Sequence, residues 1–416
     1  MGSSNTDGTR EELLKAAAEL KAAIDEFVAA DVSDGDVQFD QLRKANIMDA
    51  THRIQLLVKD PADVWMDQVN AITGITVKRL FSEWGAFDAI PDEGSIPYSE
   101  LAKAVDTEEA LLVRVGGVLT SSGFLEAVGT NEVAHTRLSR IFTHNDRRGN
   151  LFNVGWDNCI VPYAAMPKYF ESYGRNEPKT SNHTPHSVAY GQPELDFYQI
   201  LERDPKRLAS WVPGMAAVEE RMPISGVYDF GWVVDLAKQD GDKAQQRPLF
   251  VDVGGGKGQA IKAIRAEFPG LPAERCVLQD RVEVIDAANA LGEPELRGVS
   301  KMAIDFFKDQ PLKGALIYWI RRCLHNHPDD VCIPILKNLI EAAADDSRIL
   351  IMEDILDTPP STMAAIMDVM MMSLGGKQRT LKMWEKMLAA IGLKINSISH
   401  AKGPWKSLAV IECVKV

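Results

Sequence analysis

The hydrophobic and polar positions along the chain follow two different patterns, which meet near residue 247. In the first part, apolar residues recur every three or four positions over 11–30, 42–58 and 61–74, and this spacing predicts three helices. Shorter helical stretches alternate with turns from residue 76 to residue 142. The first part of the chain is therefore predicted to be mainly helical.

A small β-hairpin is predicted near the end of this helical part. The runs 124–128 and 131–135 have an extended character and flank Gly129, which suits a tight turn. Helices followed by such a wing are typical of a winged-helix domain, a module that binds DNA in some proteins and forms dimers in others. The 46 basic and 59 acidic residues give a net charge of −13, and no basic helix is present. A nucleic-acid interface is therefore not expected.

Short β-branched runs alternate with helical segments after residue 247. This alternation predicts an α/β fold with an open, mainly parallel, Rossmann-like sheet, which binds ligands at the carboxyl ends of its strands. The predicted strands cover 249–253, 275–278, 300–304, 314–320, 348–353, 395–398 and 408–414. The predicted helices between them include 259–267, 330–343 and 382–391.

A polar stretch over 239–246 predicts a domain boundary between the two patterns. We therefore expect an N-terminal helical, winged-helix-like domain over 1–145 and a Rossmann-like catalytic domain over 246–416. Between them, 146–245 is predicted to be a helical connector that contributes the substrate pocket. Within this connector, 176–187 is polar and rich in Pro, Thr and His, which predicts a loop.

Composition narrows the class of protein further. With 45% hydrophobic and 25% charged residues, the chain has the apolar content of a globular protein and not of a disordered or fibrous one. Its five cysteines are widely spaced and form no CxxC pair, so neither a disulfide framework nor a zinc site is expected. A reducing compartment, the cytoplasm, fits this cysteine usage best. The polar N-terminus and the lack of a long apolar run predict neither a secretory signal nor a membrane span.

Chemistry-bearing residues stand at the ends of the first two strands of the predicted sheet. The first strand ends at Asp252 and runs into the letters VGGGKG, where glycines allow a tight turn and a close approach to a ligand. The spacing is not that of a Walker A loop. Asp280 ends the next strand, where a Rossmann-like fold places an acid that accepts hydrogen bonds from ribose hydroxyls.

The next three strands also end in polar or aromatic residues. Asp305 and Phe306 follow the third strand, and an acid beside an aromatic ring suits the amino group and the face of an adenine. His325 follows the fourth strand, and an imidazole there suits a general base. Glu353 ends the neighbouring strand, from which its carboxylate can orient the imidazole. His325 and His327 alone do not make up the ligand set of a metal site, so no metal is expected.

The ordered set VDVGGGKG, LQD, DFF, RRCLHNHPDD and GGKQRT resembles the plant and fungal class I O-methyltransferases, which use S-adenosylmethionine (SAM). The resemblance covers nearly the whole chain, and it implies that the N-terminal domain forms a homodimer. It implies that His325 deprotonates a substrate hydroxyl and that Glu353 brackets this histidine. It also implies a set of residues that hold SAM, namely Asp252, Gly254, Gly256, Asp280, Asp305, Phe306 and Arg321.

Three departures from the family pattern leave a second function open. The family commonly has His-Asp-Trp where this chain has His325-Asn326-His327, and Gln378 stands where a second acid often brackets the histidine. Some fungal relatives keep the SAM site but catalyse pericyclic reactions of polyketide–pyridones instead of methylation. In such an enzyme His135 would be a hydrogen-bond partner for the substrate. These relatives tend to lose the catalytic histidine, which this chain keeps.

The acceptor pocket is predicted to be apolar and adapted to a flat substrate. The candidate residues are aromatic or methionine side chains, which pack well on rings: Phe170, Tyr190, Phe197, Trp211, Met215, Met367 and Met371. The favoured function is a SAM-dependent O-methyltransferase that acts on a phenolic or enolic hydroxyl of a polyketide-like secondary metabolite. The alternatives are a SAM-bound pericyclase and a SAM- or DNA-binding regulator without enzymatic activity.

Overall fold

The computed structural model describes residues 4–29, 37–240 and 247–416. The chain divides into two compact units, Met1–His144 and Asn145–Val416. The segment 146–245, predicted as a separate connector, lies within the second unit together with the sheet. The predicted break at 239–246 falls largely outside the described residues.

The first unit is mainly helical, and the three predicted helices are confirmed. Its helices are α1 (Ser4–Ala29), α2 (Val37–Val58), α3 (Val64–Glu83), α4 (Ala86–Ala89), α5 (Tyr98–Ala104) and α6 (Glu109–Ser121). Helix α3 begins later than predicted because Pro61 lies in a short 3-10 turn, which the side chain of Asp60 caps.

The predicted hairpin of the first unit is present and carries a third strand. Strands β2 (Leu125–Val128) and β3 (Glu132–His135) pair antiparallel, and β1 (Ser95–Pro97) pairs with the other edge of β3. Apolar side chains of the helices and of the hairpin form one core, which includes the fully buried Phe81 and Leu112. The unit therefore has its own hydrophobic core.

The second unit combines many helices with one large sheet. Its helices are α7 (Arg147–Gly155), α8 (Val161–Tyr173), α9 (Pro185–Ala189), α10 (Phe197–Glu202), α11 (Pro205–Glu219), α12 (Gly231–Asp240), α13 (Gln259–Glu267), α14 (Val282–Leu291), α15 (Asp329–Ala342), α16 (Thr362–Ser373) and α17 (Leu381–Ala389). Its strands are β4 (Phe250–Val253), β5 (Cys276–Asp280), β6 (Ser300–Ala303), β7 (Ile317–Arg321), β8 (Arg348–Leu356), β9 (Arg379–Thr380), β10 (Leu393–His400) and β11 (Leu408–Lys415).

The order of strands in this sheet confirms the predicted α/β fold. The order is β10-β11-β8-β7-β4-β5-β6, and the short strand β9 also pairs with β8. Strands β6, β5, β4, β7 and β8 run parallel, whereas β11 runs antiparallel to both of its neighbours, β8 and β10. The parallel strands bring their carboxyl ends to one edge, so the candidate residues that follow them gather there.

Both faces of the sheet are buried, which explains the continuous apolar runs of its strands. On one face Trp319 packs with Phe230 and Phe250 at ring-centroid distances of 5.8 and 5.9 Å. The flanking residues Tyr318 and Ile320 point to a second core on the other face.

Within the described residues, no helix combines the length and the apolar character that a membrane span needs.

Candidate active site

A glycine-rich turn links β4 to α13 and is fastened to the neighbouring strand. The backbone N–H groups of Gly254 and Gly255 both donate to the carbonyl of Gln279, at 2.8 and 3.1 Å. Gly254 and Gly256 have φ values of 71° and 59°, a region that side chains with a Cβ rarely adopt. The turn thus exposes backbone groups at the carboxyl end of the sheet, as the sequence predicts.

Gly255 is required by packing, and we expect Gly255→Ala to damage both the fold and the turn. A Cβ at this position would lie 2.5 Å from Asp252 Oδ2 and from Leu278 Cδ1. Relief of this overlap should cost about 1–3 kcal/mol and displace the Asp252 carboxylate. Chemical denaturation and calorimetric titration with SAM would measure the two effects. Gly74→Ala is the matched control, because a Cβ there would meet no atom within 4 Å apart from the backbone of its own helix. Equal behaviour of the two variants would contradict the packing argument.

The carboxylate of Asp252 is buried beneath this turn and is incompletely paired. Its Oδ2 atom has no hydrogen-bond partner among the described residues. Burial raises the pKa of Asp252 to about 7; the charge of Arg321 opposes this rise, and that of Asp280 adds to it. A buried carboxylate without a full set of partners indicates a place for a cationic group. Asp252 and Arg321, both predicted as cofactor residues, thus lie within electrostatic reach of each other.

Asp280 closes the other side of the turn. Its Oδ2 accepts the N–H of Gly256 at 2.8 Å, and its Oδ1 accepts the N–H of Arg281 at 2.7 Å. Burial raises the pKa of Asp280, although these two hydrogen bonds oppose the rise. The structure therefore brings Asp280 against the glycine turn, where the sequence places a ribose-binding acid.

The third and fourth strand ends meet at the same turn. A Cβ on Gly254 would lie 2.9 Å from Cys323 Sγ and 3.4 Å from Phe306 Cε1, so both side chains contact the turn. Asp305, the predicted adenine acid, accepts the N–H of Phe307 at 3.1 Å and pairs with Lys308 at 3.2 Å. Cys323 was not among the predicted site residues, although it stands two positions before His325.

The predicted base and its carboxylate lie side by side. His325 Nδ1 is 2.5 Å from Glu353 Oε2, and Glu353 Oε1 accepts the N–H groups of Leu324 and His325 at 2.9 and 3.2 Å. Burial alone would raise the pKa of Glu353, but the charge and hydrogen bond of His325 outweigh burial and lower it. The carboxylate thus fixes Nδ1 as the protonated nitrogen, and Nε2 is the atom able to accept a proton.

A turn that follows α16 holds the loop of His325 in place. The N–H of Lys377 donates to the carbonyl of His325 at 2.8 Å, and a Cβ on Gly376 would overlap that carbonyl. The fully buried guanidinium of Arg379 donates to the carbonyls of Leu324 and His327 at 3.1 and 2.9 Å. Sequence reasoning missed Arg379, although it lies within the quoted GGKQRT segment.

The three residues that depart from the family pattern have distinct surroundings. The Asn326 amide approaches the carbonyl of Arg322 at 3.5 Å. Gln378 is buried, and its backbone N–H donates to Asp368 Oδ1 at 2.9 Å. His327 Nδ1 lies 3.1 Å from Ser181 Oγ. Burial, reinforced by the charges of His325 and Arg379, lowers the pKa of His327 to about 4, so this ring is neutral.

Several predicted acceptor residues cluster in the second unit. The rings of Phe197 and Trp211 are 4.9 Å apart, and they pack with Met371 in one apolar cluster. Tyr190 joins them through the ring of His186, 4.9 Å from Tyr190 and 5.1 Å from Phe197. The helices of Trp211 and Met371 also carry the other two predicted methionines, each one helical turn away: Met215 in α11 and Met367 in α16. Phe170, in contrast, packs on Tyr169, with their centroids 5.1 Å apart.

His135 lies in the first unit and uses both ring nitrogens within it. Nδ1 is 2.9 Å from Ser139 Oγ, and Nε2 is 3.0 Å from the carbonyl of Phe87. Burial lowers the pKa of His135, despite the opposing hydrogen bond to Phe87. These contacts fix the orientation of the ring within the first unit, and its role toward a substrate stays a prediction.

The fold and the site define an α/β methyltransferase, and comparisons with known proteins identify its family. A family model of the O-methyltransferase domain matches residues 178–394. The methyltransferase cfoD of Aspergillus candidus is 39% identical over 360 residues, which cover 85% of this chain and 88% of that protein. The O-methyltransferase afvC of Aspergillus flavus is 31% identical and covers 94% of this chain and 93% of its own length. The chain therefore belongs to the O-methyltransferase family.

Solved structures share the fold. The crystal structure of OxaC in complex with S-adenosylhomocysteine (SAH) and oxaline has a TM-score of 0.82 and 24% identity, and covers 98% of this chain and 100% of that chain. The structure of LepI in complex with SAM has a TM-score of 0.77 and 23% identity, and covers 97% of this chain and 99% of that chain. Both likenesses agree with the predicted α/β fold.

SAM, the predicted cofactor, is the methyl donor that membership of this family implies. The residues at the carboxyl edge of the sheet fit it. The unpaired oxygen of Asp252 suits the cationic methionine part, and the glycine turn leaves room for a close backbone approach. Asp280 stands at the position of a ribose acid, and Phe306 presents a ring beside the turn. These residues therefore agree with the enzyme class and the cofactor that the sequence predicts.

Proposed function

We propose that this protein transfers the methyl group of SAM to a phenolic or enolic hydroxyl of a flat, polyketide-like secondary metabolite. The observation that carries the proposal is the His325–Glu353 pair, with 2.5 Å between Nδ1 and Oε2, at the same sheet edge as the glycine turn. The pair supplies a base with a fixed tautomer beside the residues that fit SAM.

The chain's own groups account for proton removal and alignment. SAM, when bound, supplies a methyl group activated by the sulfonium. His325 Nε2 accepts the hydroxyl proton, and the charge of Glu353 stabilises the imidazolium that results. Lys377 and Arg379 hold the backbone on both sides of His325, so the imidazole does not have to reorganise during the reaction.

The expected acceptor is apolar and flat. Phe197, Trp211 and Met371 offer ring faces and a polarisable thioether, which favour an aromatic or polyketide ring over a sugar or a nucleotide. The names of the relatives support methyl transfer, since cfoD is called a methyltransferase and afvC an O-methyltransferase.

A labelled methyl group tests the proposal directly. We expect that incubation with SAM carrying a deuterated methyl, and with a panel of phenols and hydroxypyridones, gives a product heavier by one labelled methyl group and an equal amount of SAH. Mass spectrometry detects both. An isomerised or dehydrated product without label, formed only in the presence of SAM, would contradict methyl transfer.

That contrary result would establish the second candidate, a SAM-bound pericyclase. The specific observation in its favour is the loss of acids near the base, because Asn326 and Gln378 carry neutral amides at the two family positions. Asn326 belongs to the His325 loop, and Gln378 follows Gly376 and Lys377, which contact that loop directly. The retained His325–Glu353 pair favours methyl transfer over this alternative.

We also propose that the protein forms a homodimer in the cytoplasm. The first unit exposes large apolar side chains on its first three helices, including Leu14 (69% exposed), Met48 (70%) and Trp65 (59%). A second copy that covers these helices would remove this apolar area from water. We expect twice the chain mass by light scattering at micromolar concentration, and a monomer mass would overturn the dimer.

The proposed cytoplasmic location rests on the cysteines. The five free thiols suit a reducing compartment.

A further inference from the structure

An interlocked pair of amide side chains is buried beneath the cofactor edge of the sheet. Gln279 and Gln310 are 0% and 1% exposed. The Nε2 group of Gln279 donates to Gln310 Oε1 at 2.9 Å, and the Nε2 group of Gln310 donates to Gln279 Oε1 at 2.7 Å. Each amide is therefore donor and acceptor to the other, so the two side chains close a ring of two hydrogen bonds.

A third hydrogen bond fixes the direction in which the two amides point. The N–H of Leu312 donates to Gln310 Oε1 at 3.1 Å, so this atom is the oxygen, and Gln279 must turn its NH2 group toward it. The same NH2 group also lies 3.5 Å from Met302 Sδ. Rotation of either amide alone would set like groups against each other, so the pair has one arrangement.

The pair joins the strand of the ribose acid to the loop of the predicted adenine residues. Gln279 directly precedes Asp280 in β5, and its backbone carbonyl accepts the two N–H groups of the glycine turn described above. Gln310 lies in the loop between β6 and β7, downstream of Asp305 and Phe306. The two amides therefore lie between the predicted ribose contact and the predicted adenine contacts.

Phe306 lies between two anchors of this loop. The side chain of Asn338 donates to the carbonyl of Phe306 at 3.0 Å. After Phe306, the loop is held by Gln310 and by the hydroxyl of Tyr318, which donates to the carbonyl of Leu312 at 2.7 Å. Among these contacts, that of Gln310 reaches the strand of the ribose acid, so it bears on the distance between this acid and the ring of Phe306.

We propose that Gln279 and Gln310 are positioning residues for the adenosine half of SAM, because their reciprocal hydrogen bonds set the spacing between Asp280 and the loop of Phe306. An apolar pair of similar size would fill the same space, but only directional bonds fix one arrangement of the loop. The inference holds for methyl transfer and for the pericyclase alike, since both bind SAM. Its tests are binding titrations without turnover, so they can fail or succeed independently of the proposed function.

Gln310→Glu tests the reciprocal bonds, because a proton can restore them. A protonated carboxyl group accepts from Gln279 Nε2 and donates to Gln279 Oε1 as the amide does, whereas a carboxylate turns an oxygen against Oε1. Burial raises the pKa of such a carboxyl group, so pH 6 and pH 8.5 should favour different forms. We expect the ratio of variant Kd to wild-type Kd for SAH to be about 2 at pH 6 and about 10 at pH 8.5 by calorimetry. The ratio cancels the pH dependence that both proteins share.

Gln199→Glu is the matched control. Gln199 is exposed, and its Oε1 accepts the N–H of Asp196 at 3.1 Å, a bond that a carboxylate makes equally well. Its ratio should stay near one at both pH values.

A shortened ligand shows which half of the cofactor is affected. 5′-Methylthioadenosine has the adenine and the ribose of SAH but lacks the amino acid part. We expect Gln310→Glu to weaken its binding by the same factor as that of SAH. Unchanged affinity for this ligand would overturn the proposal, because the loss would then lie in the amino acid part.

The double variant Gln279→Met, Gln310→Met separates positioning from stability. Each single methionine leaves one buried amide unpaired and should lower the midpoint of chemical denaturation, and the double variant should regain part of this loss. Its SAH affinity should remain about tenfold weaker than wild type, because thioethers supply no directional bond and the N–H of Leu312 loses its acceptor.

A merely structural pair would give the opposite result, namely wild-type SAH affinity in the folded double variant. That result, or a ratio near one at both pH values for Gln310→Glu, would overturn the proposal. The double variant decides the question if Gln310→Glu does not fold at pH 8.5 or stays ionised at pH 6.

Discussion

Replacement of His325 by alanine is expected to lower the rate of methyl transfer by about 10²–10⁴-fold while SAM affinity stays within about threefold. The loss follows from the geometry, because Glu353 and the backbone bonds around residues 324–327 hold one imidazole in one tautomer. No other group named at this edge is arranged as a base in the same way: Asp252 and Asp280 face the glycine turn. Single-turnover kinetics with labelled SAM would measure the rate.

Two further variants separate loss of the base from general damage. His400→Ala is the matched control, since His400 is exposed on the edge strand β10 and the only hydrogen bond described for its ring is to the carbonyl of Lys406. Glu353→Gln should cost nearly as much as His325→Ala, because the amide oxygen still accepts the backbone N–H groups while its NH2 group faces Nδ1, which leaves the proton on Nε2 and removes the base. Full activity of His325→Ala would show that the hydroxyl loses its proton without a protein base.

The sequence was sufficient to predict that the candidate cofactor residues lie together at one edge of the sheet. Parallel strands end at one edge, so a polar residue after each strand reaches the same place regardless of the helices between them. The pairing of His325 with Glu353 follows for the same reason, because β7 and β8 are neighbours with Arg321 opposite Met352. Only the strand ends had to be recognised to predict this placement.

The contacts that the sequence could not predict join segments without a common periodic pattern. Arg379 reaches the carbonyls around His325 from a turn beyond α16, and Arg207 meets His186 from a separate helix. Both arginines would be read from the sequence as exposed charges, since arginine is seldom buried. Their burial depends on partners supplied by tertiary packing. The reversed direction of β11, which is antiparallel to both β8 and β10, is also a tertiary property, because an apolar run predicts a strand without its direction.

Replacement of Asp252 by asparagine is expected to stabilise the ligand-free protein and to weaken SAM binding. The pKa of Asp252 is about 7 in the folded protein against an ordinary value of 3.8, so the folded state holds this proton more tightly than the unfolded state does. Stability is therefore lost as the pH rises from about 4 to about 7. Asparagine removes this loss, and we expect a gain on the order of 3 kcal/mol at pH 8, about 1 kcal/mol at pH 5 and little change at pH 3.

The same substitution removes the negative charge that suits the cationic methionine part of SAM. We expect about 30- to 100-fold weaker SAM binding at pH 8 by calorimetry, with denaturation of the ligand-free protein measured alongside it. In the wild-type protein, SAM affinity should fall as the pH drops below about 7 and Asp252 becomes protonated, whereas the asparagine variant should lack this step. Asp286→Asn, in α14, controls for the loss of a carboxylate elsewhere in the second unit. A variant that is less stable at pH 8 yet binds SAM normally would show that Asp252 has a structural role, because a cation site must lose affinity when its carboxylate is removed.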